Sequence, residues 1–79
     1  MIIKVLGPGC RNCTLLETAV KQAVSELGIV AEVQKVSDMN AIMDYNVFIT
    51  PGLVINGKVK VSGRVPKLEE IKNLIKEEL

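Results

Sequence analysis

Histidine and tryptophan are absent from this chain of 79 residues, and cysteine occurs only twice. A tetrahedral metal site needs several histidine, cysteine or carboxylate ligands held together, so the missing histidines and the missing third cysteine argue against a zinc module. Small secreted domains usually carry several disulfides, and this pattern is absent here. We therefore expect a reducing, cytoplasmic setting and no bound metal or other cofactor.

Aromatic side chains are equally rare, and neither sign of charge dominates, since the net charge is +1. Such a chain offers no broad basic field for nucleic acid or for a membrane surface. The start, MIIKVLGPG, lacks the basic leader and long apolar run of a signal peptide, and no stretch is long enough to span a bilayer. The composition predicts one modest core in a single domain over residues 1–79, with neither a nucleic-acid nor a membrane partner.

The first half of the chain reads as a strand, a helix and a second strand. The apolar run Ile2–Leu6 predicts a buried strand, which the glycines and proline at 7–9 end. Residues 29–36 predict a second strand that runs parallel to the first after a helical crossover. Between them lies an amphipathic helix that stops at Gly28, with apolar side chains at three- and four-residue steps: Cys13, Leu16, Val20, Ala23 and Leu27.

A short helix is expected in the middle of the chain. Ser37 and Asp38 offer an N-cap, the helix ends near Tyr45, and residues 47–50 form an extended run before Pro51. Four side chains at periodic positions in this region are predicted to belong to the core: Met39, Met43, Tyr45 and Phe48.

The last third predicts a hairpin and a final helix. Asn56 and Gly57 between two β-rich runs are typical of a type I′ turn. Pro66 suits the first turn of a helix whose apolar stripe is Leu68, Ile71, Leu74 and Ile75. Lys58 and Lys60 are placed on the polar side of an edge strand, where lysine discourages pairing between molecules. The predicted order is β-α-β-α-β-β-α, an α/β fold.

The chemistry of the chain centres on Cys10 and Cys13, where the first strand gives way to the first helix. Unpaired N–H groups and the helix dipole favour negative charge at this end, and Arg11 can add to that effect, so we interpret Cys10 as the nucleophile. Lowering a thiol pKa from ~8.5 to ~7 raises the thiolate fraction at pH 7 roughly fifteenfold. Cys13 is expected to lie deeper, three residues into the helix, and it returns to the same helical face within about one turn, so it is interpreted as the resolving thiol.

Two other uses of the cysteine pair remain open at this point. A disulfide that closes a loop of about four residues stabilises a fold by only ~2 kcal/mol, so a purely structural staple is poorly placed here. Two thiolates before a helix can also bind Cu(I), which makes a metal-binding module or copper chaperone the alternative function. A third possibility is an interaction scaffold whose thiols are incidental.

Two separated motifs, LGPGCRNC and TPGLVINGKVKVSGRVPKLEEI, resemble the thioredoxin/glutaredoxin superfamily, and in particular its compact prokaryotic thioredoxin-like redox-active disulfide proteins. The resemblance covers essentially the whole chain and implies a thioredoxin-like four-stranded mixed sheet flanked by helices. It also implies that Pro51 follows a cis peptide bond and faces the cysteines. The main chain of Thr50 would then pair with an extended substrate segment.

The sequence departs from the family pattern at several positions around the site. Gly9 stands where thioredoxins have tryptophan, and Arg11 and Asn12 replace the usual residues between the cysteines, which tune thiolate stability. Gly63 resembles a glutaredoxin glycine, but the polar pair that should follow it is missing, and Arg64 is interpreted as a solvated side chain. The predicted substrate-contacting residues are Gly9, Arg11, Asn12, Thr50, Pro51 and Gly63.

The sequence thus predicts a thiol–disulfide oxidoreductase that reduces disulfide-containing proteins through Cys10 and Cys13. The resemblance implies that electrons come from a flavoenzyme of the thioredoxin-reductase type. Heavy-metal-associated domains also place Cys-x-x-Cys after a first strand, but they usually end in a strand and carry methionine where this chain has Pro8. The C-terminal charges Lys72, Lys76, Glu77 and Glu78 are expected to form an ordinary helix surface with local ion pairs.

Overall fold

A computed structural model describes all 79 residues and contains four strands and three helices in the predicted order, β-α-β-α-β-β-α. The elements are β1 (Ile2–Leu6), α1 (Arg11–Leu27), β2 (Glu32–Val36), α2 (Met39–Asp44), β3 (Gly52–Ile55), β4 (Lys58–Ser62) and α3 (Leu68–Lys76). The longest helix, α1, has 17 residues and is amphipathic, and none of the helices combines the length and apolar content needed to cross a membrane.

The strands form one four-stranded mixed sheet, as the resemblance implied, and their order in the sheet is β2-β1-β3-β4. β1 runs parallel to β2 and antiparallel to β3, and β3 and β4 form a hairpin. Asn56 and Gly57 both have positive φ, 50° and 82°, which a type I′ turn requires. Asn56 also joins the hairpin turn to the start of β1, because its side-chain oxygen accepts a hydrogen bond from the Ile2 N–H at 3.1 Å.

Helices cover both faces of the sheet. Successive side chains of the central strands point to opposite faces, so each of these strands contributes to both core clusters. Ile3 and Val5 of β1 face α1 and α3, whereas Leu6 faces α2. The larger core cluster consists of Ile3, Val5, Leu16, Val20, Ala23, Leu53, Ile55, Val61, Ile71 and Ile75. The smaller cluster consists of Leu6, Ile42, Val47 and Val54. The predicted apolar faces of α1 and α3 therefore form most of one core layer.

Two predicted extended segments differ from the structure. The second strand begins at Glu32 instead of residue 29, and Val30 is 96% exposed. The Glu32 N–H donates to the Met1 carbonyl at 2.9 Å, at the very start of the neighbouring strand. Residues 29–31 therefore lie beyond the end of β1 and have no strand to pair with. Residues 47–50 form no strand and bend before Pro51.

The prediction that Met39, Met43 and Phe48 belong to the core is wrong. Both methionines are about half exposed and Phe48 is 71% exposed. α2 has only six residues, so it covers the sheet with one fully buried side chain, Ile42, and the chain then buries Val47. Tyr45 is half-buried and packs against this small cluster, in partial agreement with the prediction.

The expected position of Pro66 is also wrong. Pro66 lies just before Lys67, which is the N-cap of α3, and the first helical residue is Leu68. Pro66 is buried, so it packs against the fold ahead of the helix instead of occupying the first turn.

The C-terminal charges join separate elements, and the prediction of local ion pairs is wrong for most of them. Lys60 donates to Glu78 at 2.8 Å and to Glu77 at 3.2 Å, and Lys72 contacts Glu26 of α1. A bulge gives Lys60 no partner in β3, and its side chain lies over the end of α3 with only 14% exposure. Hydrogen bonds from Lys60 and then Lys58 hold the pKa of Glu78 below its usual value.

Candidate thiol–disulfide exchange site

The cysteine pair is positioned by the way β1 passes into α1. The Gly7 N–H donates to the Val36 carbonyl at 2.8 Å, which fixes the connecting loop to the end of β2. Cys10 is the N-cap of α1, and its Sγ accepts a hydrogen bond from the Cys13 N–H at 3.1 Å. The sulfur therefore occupies the acceptor position that a serine or aspartate oxygen fills at other helix starts. A thiolate at this position is stabilised by the same N–H group and by the helix dipole.

Cys10 and Cys13 form a disulfide, with their Cα atoms 5.0 Å apart. Cys10 is exposed, whereas Cys13 is 1% exposed. A partner molecule therefore has direct access to the sulfur of Cys10 and no access to that of Cys13. This difference agrees with the depth predicted for the two cysteines from their positions on the helix.

The segment before β3 forms the facing side of the site. The peptide bond between Thr50 and Pro51 is cis, as the resemblance implied. A Cβ atom placed on Gly7 would lie 2.1 Å from Cys13 Sγ and 3.9 Å from Thr50 Cβ, so these three residues are neighbours. The Thr50 amide and carbonyl form no hydrogen bond within the chain, although the residue is half-buried. They are therefore available to an extended partner segment.

Gly63 lies behind the same segment. Its N–H donates to the Pro51 carbonyl at 2.8 Å, and a Cβ atom placed on Gly63 would lie 3.1 Å from Ile49 Cγ2. The structure thus brings Cys13, Thr50, Pro51 and Gly63 together at one end of the sheet. Gly9, Arg11 and Asn12 lie on the exposed rim, next to Cys10 in the chain.

Arg64 is exposed, as expected, but its charge is not free. The guanidinium donates two hydrogen bonds to Glu70, at 3.0 and 2.5 Å. This pairing raises the pKa of Arg64 and lowers that of Glu70. A substrate carboxylate would have to displace Glu70 before it could bind Arg64.

No charged residue is buried beneath the cysteines. Lys4, the only charged residue of β1, donates to the Tyr45 hydroxyl at 3.0 Å and lies 5.7 Å from the centre of the ring. Nor do histidine, cysteine, aspartate and glutamate side chains come together anywhere in groups of three or more that could bind a metal ion. The site is therefore a pair of sulfurs on a helix N-terminus, without an adjacent acid.

Sequence reasoning missed three residues around the site. Phe48 and Ile49 are both largely exposed and directly precede Thr50, so they place apolar surface on the segment that leads into the site. Lys35 of β2 extends toward Gly9. A signal for Lys35 was present, because the carboxyl ends of adjacent parallel strands lie at the same edge of a sheet and the cysteine loop follows one of them.

A Cys-x-x-Cys at the start of a helix, with a cis-proline ahead of a hairpin at the same end of the sheet, defines a thiol–disulfide exchange site on a thioredoxin-like fold. The family model described as "Thioredoxin domain" matches residues 1–76. A thioredoxin of Methanothermobacter thermautotrophicus is 43% identical over 75 residues, which cover 95% of this chain and 97% of the relative. A thioredoxin of Methanocaldococcus jannaschii is 42% identical over 76 residues, which cover 96% of this chain and 87% of the relative.

The chain belongs to the thioredoxin family. It is a thiol–disulfide oxidoreductase that acts on protein disulfides through a Cys-x-x-Cys pair. Its fold and its relatives support this function, and they do not support the alternative of a metal-binding module.

Proposed function

We propose that the enzyme reduces protein disulfides with Cys10 as the nucleophile and Cys13 as the resolving thiol. The single observation that carries these roles is the contrast between an exposed Cys10 at the helix N-cap and a buried Cys13 behind it. Only the first sulfur is accessible to a large substrate, and only the second is held where it can attack the first.

The reaction proceeds by two exchanges. The Cys10 thiolate attacks one sulfur of the substrate disulfide, a new bond forms between the two proteins, and the other substrate sulfur leaves and takes up a proton. Cys13 then loses its proton and attacks Cys10 Sγ, which releases the second substrate thiol. The substrate gains two electrons and two protons, and the enzyme is left with the Cys10–Cys13 disulfide.

Substrate binding is assigned to the surface around the two sulfurs. An extended substrate segment pairs with the main chain of Thr50, whose free amide and carbonyl support this role. Pro51 shapes the cleft next to Cys13, and Gly63 holds the Pro51 carbonyl by a hydrogen bond. The remaining contacts fall to Gly9, Arg11 and Asn12 on the exposed rim.

The proposed partners and setting follow from the same chemistry. A flavoenzyme of the thioredoxin-reductase type returns two electrons and two protons to the disulfide, and the enzyme itself needs no bound cofactor. We place the protein in the cytoplasm, because both of its cysteines belong to the exchange site and none serves as a structural staple.

The test is reduction of insulin disulfides by dithiothreitol in the presence of a metal chelator. The native protein should accelerate the reaction, and Cys10→Ser should abolish the acceleration. Cys13→Ser should lose turnover but accumulate a mixed disulfide with a substrate, detectable by mass spectrometry. If Cys10→Ser instead traps the substrate, the two roles are reversed. If the native protein is inactive but binds one Cu(I) tightly, the protein is a metal carrier.

A further inference from the structure

Lys35 lies at the edge of the sheet where the cysteine loop begins. In the parallel pairing of β1 and β2, Lys35 is opposite Val5, one position before the residue whose carbonyl binds the Gly7 N–H. Lys35 shares its face of β2 with Val33, which packs against the core beneath α1. The lysine side chain therefore projects toward the N-terminus of α1.

The ammonium group of Lys35 ends beside the residue that precedes Cys10. A Cβ atom placed on Gly9 would lie 3.8 Å from Lys35 Nζ and would meet no other atom within 4 Å. This is an ordinary van der Waals distance, so the ammonium lies directly beside Gly9, which has a φ of 97°.

Lys35 carries an uncompensated charge, since it has no ion-pair partner, and Arg11 at the start of α1 has none either. The charged groups of the surrounding elements are engaged with one another or lie at helix ends: Glu17 with Lys21, Lys4 with Tyr45, Arg64 with Glu70, Asp38 as the N-cap of α2, and Asp44 at the last turn of α2. No carboxylate within ion-pair distance neutralises Lys35 or Arg11.

We propose that the Lys35 ammonium stabilises the Cys10 thiolate and so makes Lys35 a positioning residue for the exchange reaction. The proposal rests on the proposed role of Cys10 as the nucleophile. The thiolate already accepts the Cys13 N–H and lies at the positive end of α1, and Lys35 adds a full charge from a second element, β2.

The expected size of the effect follows from Coulomb's law. Because Gly9 directly precedes Cys10, we take a separation of about 8 Å between the ammonium and the Cys10 sulfur, which is Gly9's contact distance plus about one residue of chain. At that distance, in a solvent-facing site with an effective dielectric constant of about 40 to 80, one charge changes a thiol pKa by about half a unit. Below the pKa, this corresponds to about a threefold change in the amount of thiolate.

The test is the pH dependence of iodoacetamide alkylation of the reduced protein, with the modified cysteine identified by peptide mass. Lys35→Met should raise the pKa of Cys10 by about half a unit, and Lys35→Glu should raise it about twice as far. Lys35→Arg should stay close to the native profile. The differences should shrink in 1 M salt, because exposed charges are screened.

The matched control is Lys76→Met. Lys76 is also exposed and unpaired, but it lies at the C-terminal end of α3, next to the Glu77 and Glu78 side chains that bind the hairpin strand β4. Its replacement should leave the alkylation profile unchanged. Thermal melting of each variant confirms that the fold is retained.

Native-like profiles for both Lys35→Met and Lys35→Glu would overturn the proposal. So would a variant that reduces insulin more slowly with an unchanged pKa of Cys10, because Lys35 would then contact the substrate instead of the thiolate. If Cys13 is alkylated first in the native protein, the nucleophile assignment itself fails, and the modified peptide distinguishes that failure from a failure of Lys35 alone.

Discussion

Gly7→Ala should destabilise the oxidised protein through a direct collision with the disulfide. The added Cβ atom would lie 2.1 Å from Cys13 Sγ and 2.9 Å from Cys13 Cβ, whereas non-bonded contacts to carbon usually lie near 3.5 to 4.0 Å. In the oxidised protein the bond to Cys10 holds the Cys13 sulfur, so the sulfur cannot rotate away. The end of β1 or the start of α1 must move instead.

The cost of such overpacking is typically about 1 to 3 kcal/mol. For a protein of this size, each kcal/mol lowers Tm by about 4 to 8 °C. In the reduced protein the Cys13 side chain is free to change rotamer, so the loss should be smaller there. Gly7→Ala should therefore also shift the equilibrium toward the dithiol form, about tenfold for each 1.4 kcal/mol of difference.

The assay is urea denaturation of the oxidised and reduced forms of each variant. Gly52→Ala is the matched control, because the nearest atoms to its added Cβ are side-chain carbons of Val47 and Leu6, at 3.2 and 3.3 Å, and no cysteine is close. It should change the stability of both redox forms by the same amount. A collision with the disulfide is refuted if Gly7→Ala leaves the oxidised form as stable as the native protein, or destabilises both forms by the same amount.

Two further outcomes are expected. Phe48→Ala should change the free energy of unfolding by less than about 0.5 kcal/mol because the ring is exposed, whereas Ile42→Ala should cost about 2 to 5 kcal/mol; similar losses in urea titrations would mean that Phe48 is in the core after all. Because Lys60 and Lys58 lower the folded-state pKa of Glu78, its contribution to stability is complete above the unfolded pKa of about 4.3 and is lost as the pH falls through the lower folded value. Glu78→Gln should therefore lose less stability than the native protein between pH 5 and 3 in thermal melts, and the same pH dependence in both proteins would contradict this.

The elements that the sequence predicted well depend on interactions between near neighbours. The stripe from Cys13 to Leu27 follows the period of a helix, and Gly28 ends that helix with a left-handed φ of 65°. The Asn56-Gly57 turn has the two positive φ angles that its residue types favour. The placement of Cys10 at the N-cap follows from the same short-range rules, because a strand ends and a helix begins within a few residues of it.

The middle of the chain was harder to predict because its burial depends on the sheet. Met39 and Met43 show helical spacing, and the helix is present, but six residues cover little of the sheet and both side chains face mostly outward. The alternation of side chains along β4 predicted that Lys60 lies on the polar side of the edge strand. The structure differs because a bulge leaves Lys60 without a partner in β3. Neither effect has a signal within a few residues of the position concerned.

By itself, the sequence determined the order of the elements, the cysteine pair with its depth difference, and the hairpin, because each follows from local periodicity or turn preference. The resemblance added the cis bond before Pro51. Only the tertiary structure decided which side chains are covered, which charges pair across elements, and how Lys35 comes to lie beside the loop of Cys10. Those features depend on how strands and helices that are distant in the sequence pack, and local patterns do not encode that packing.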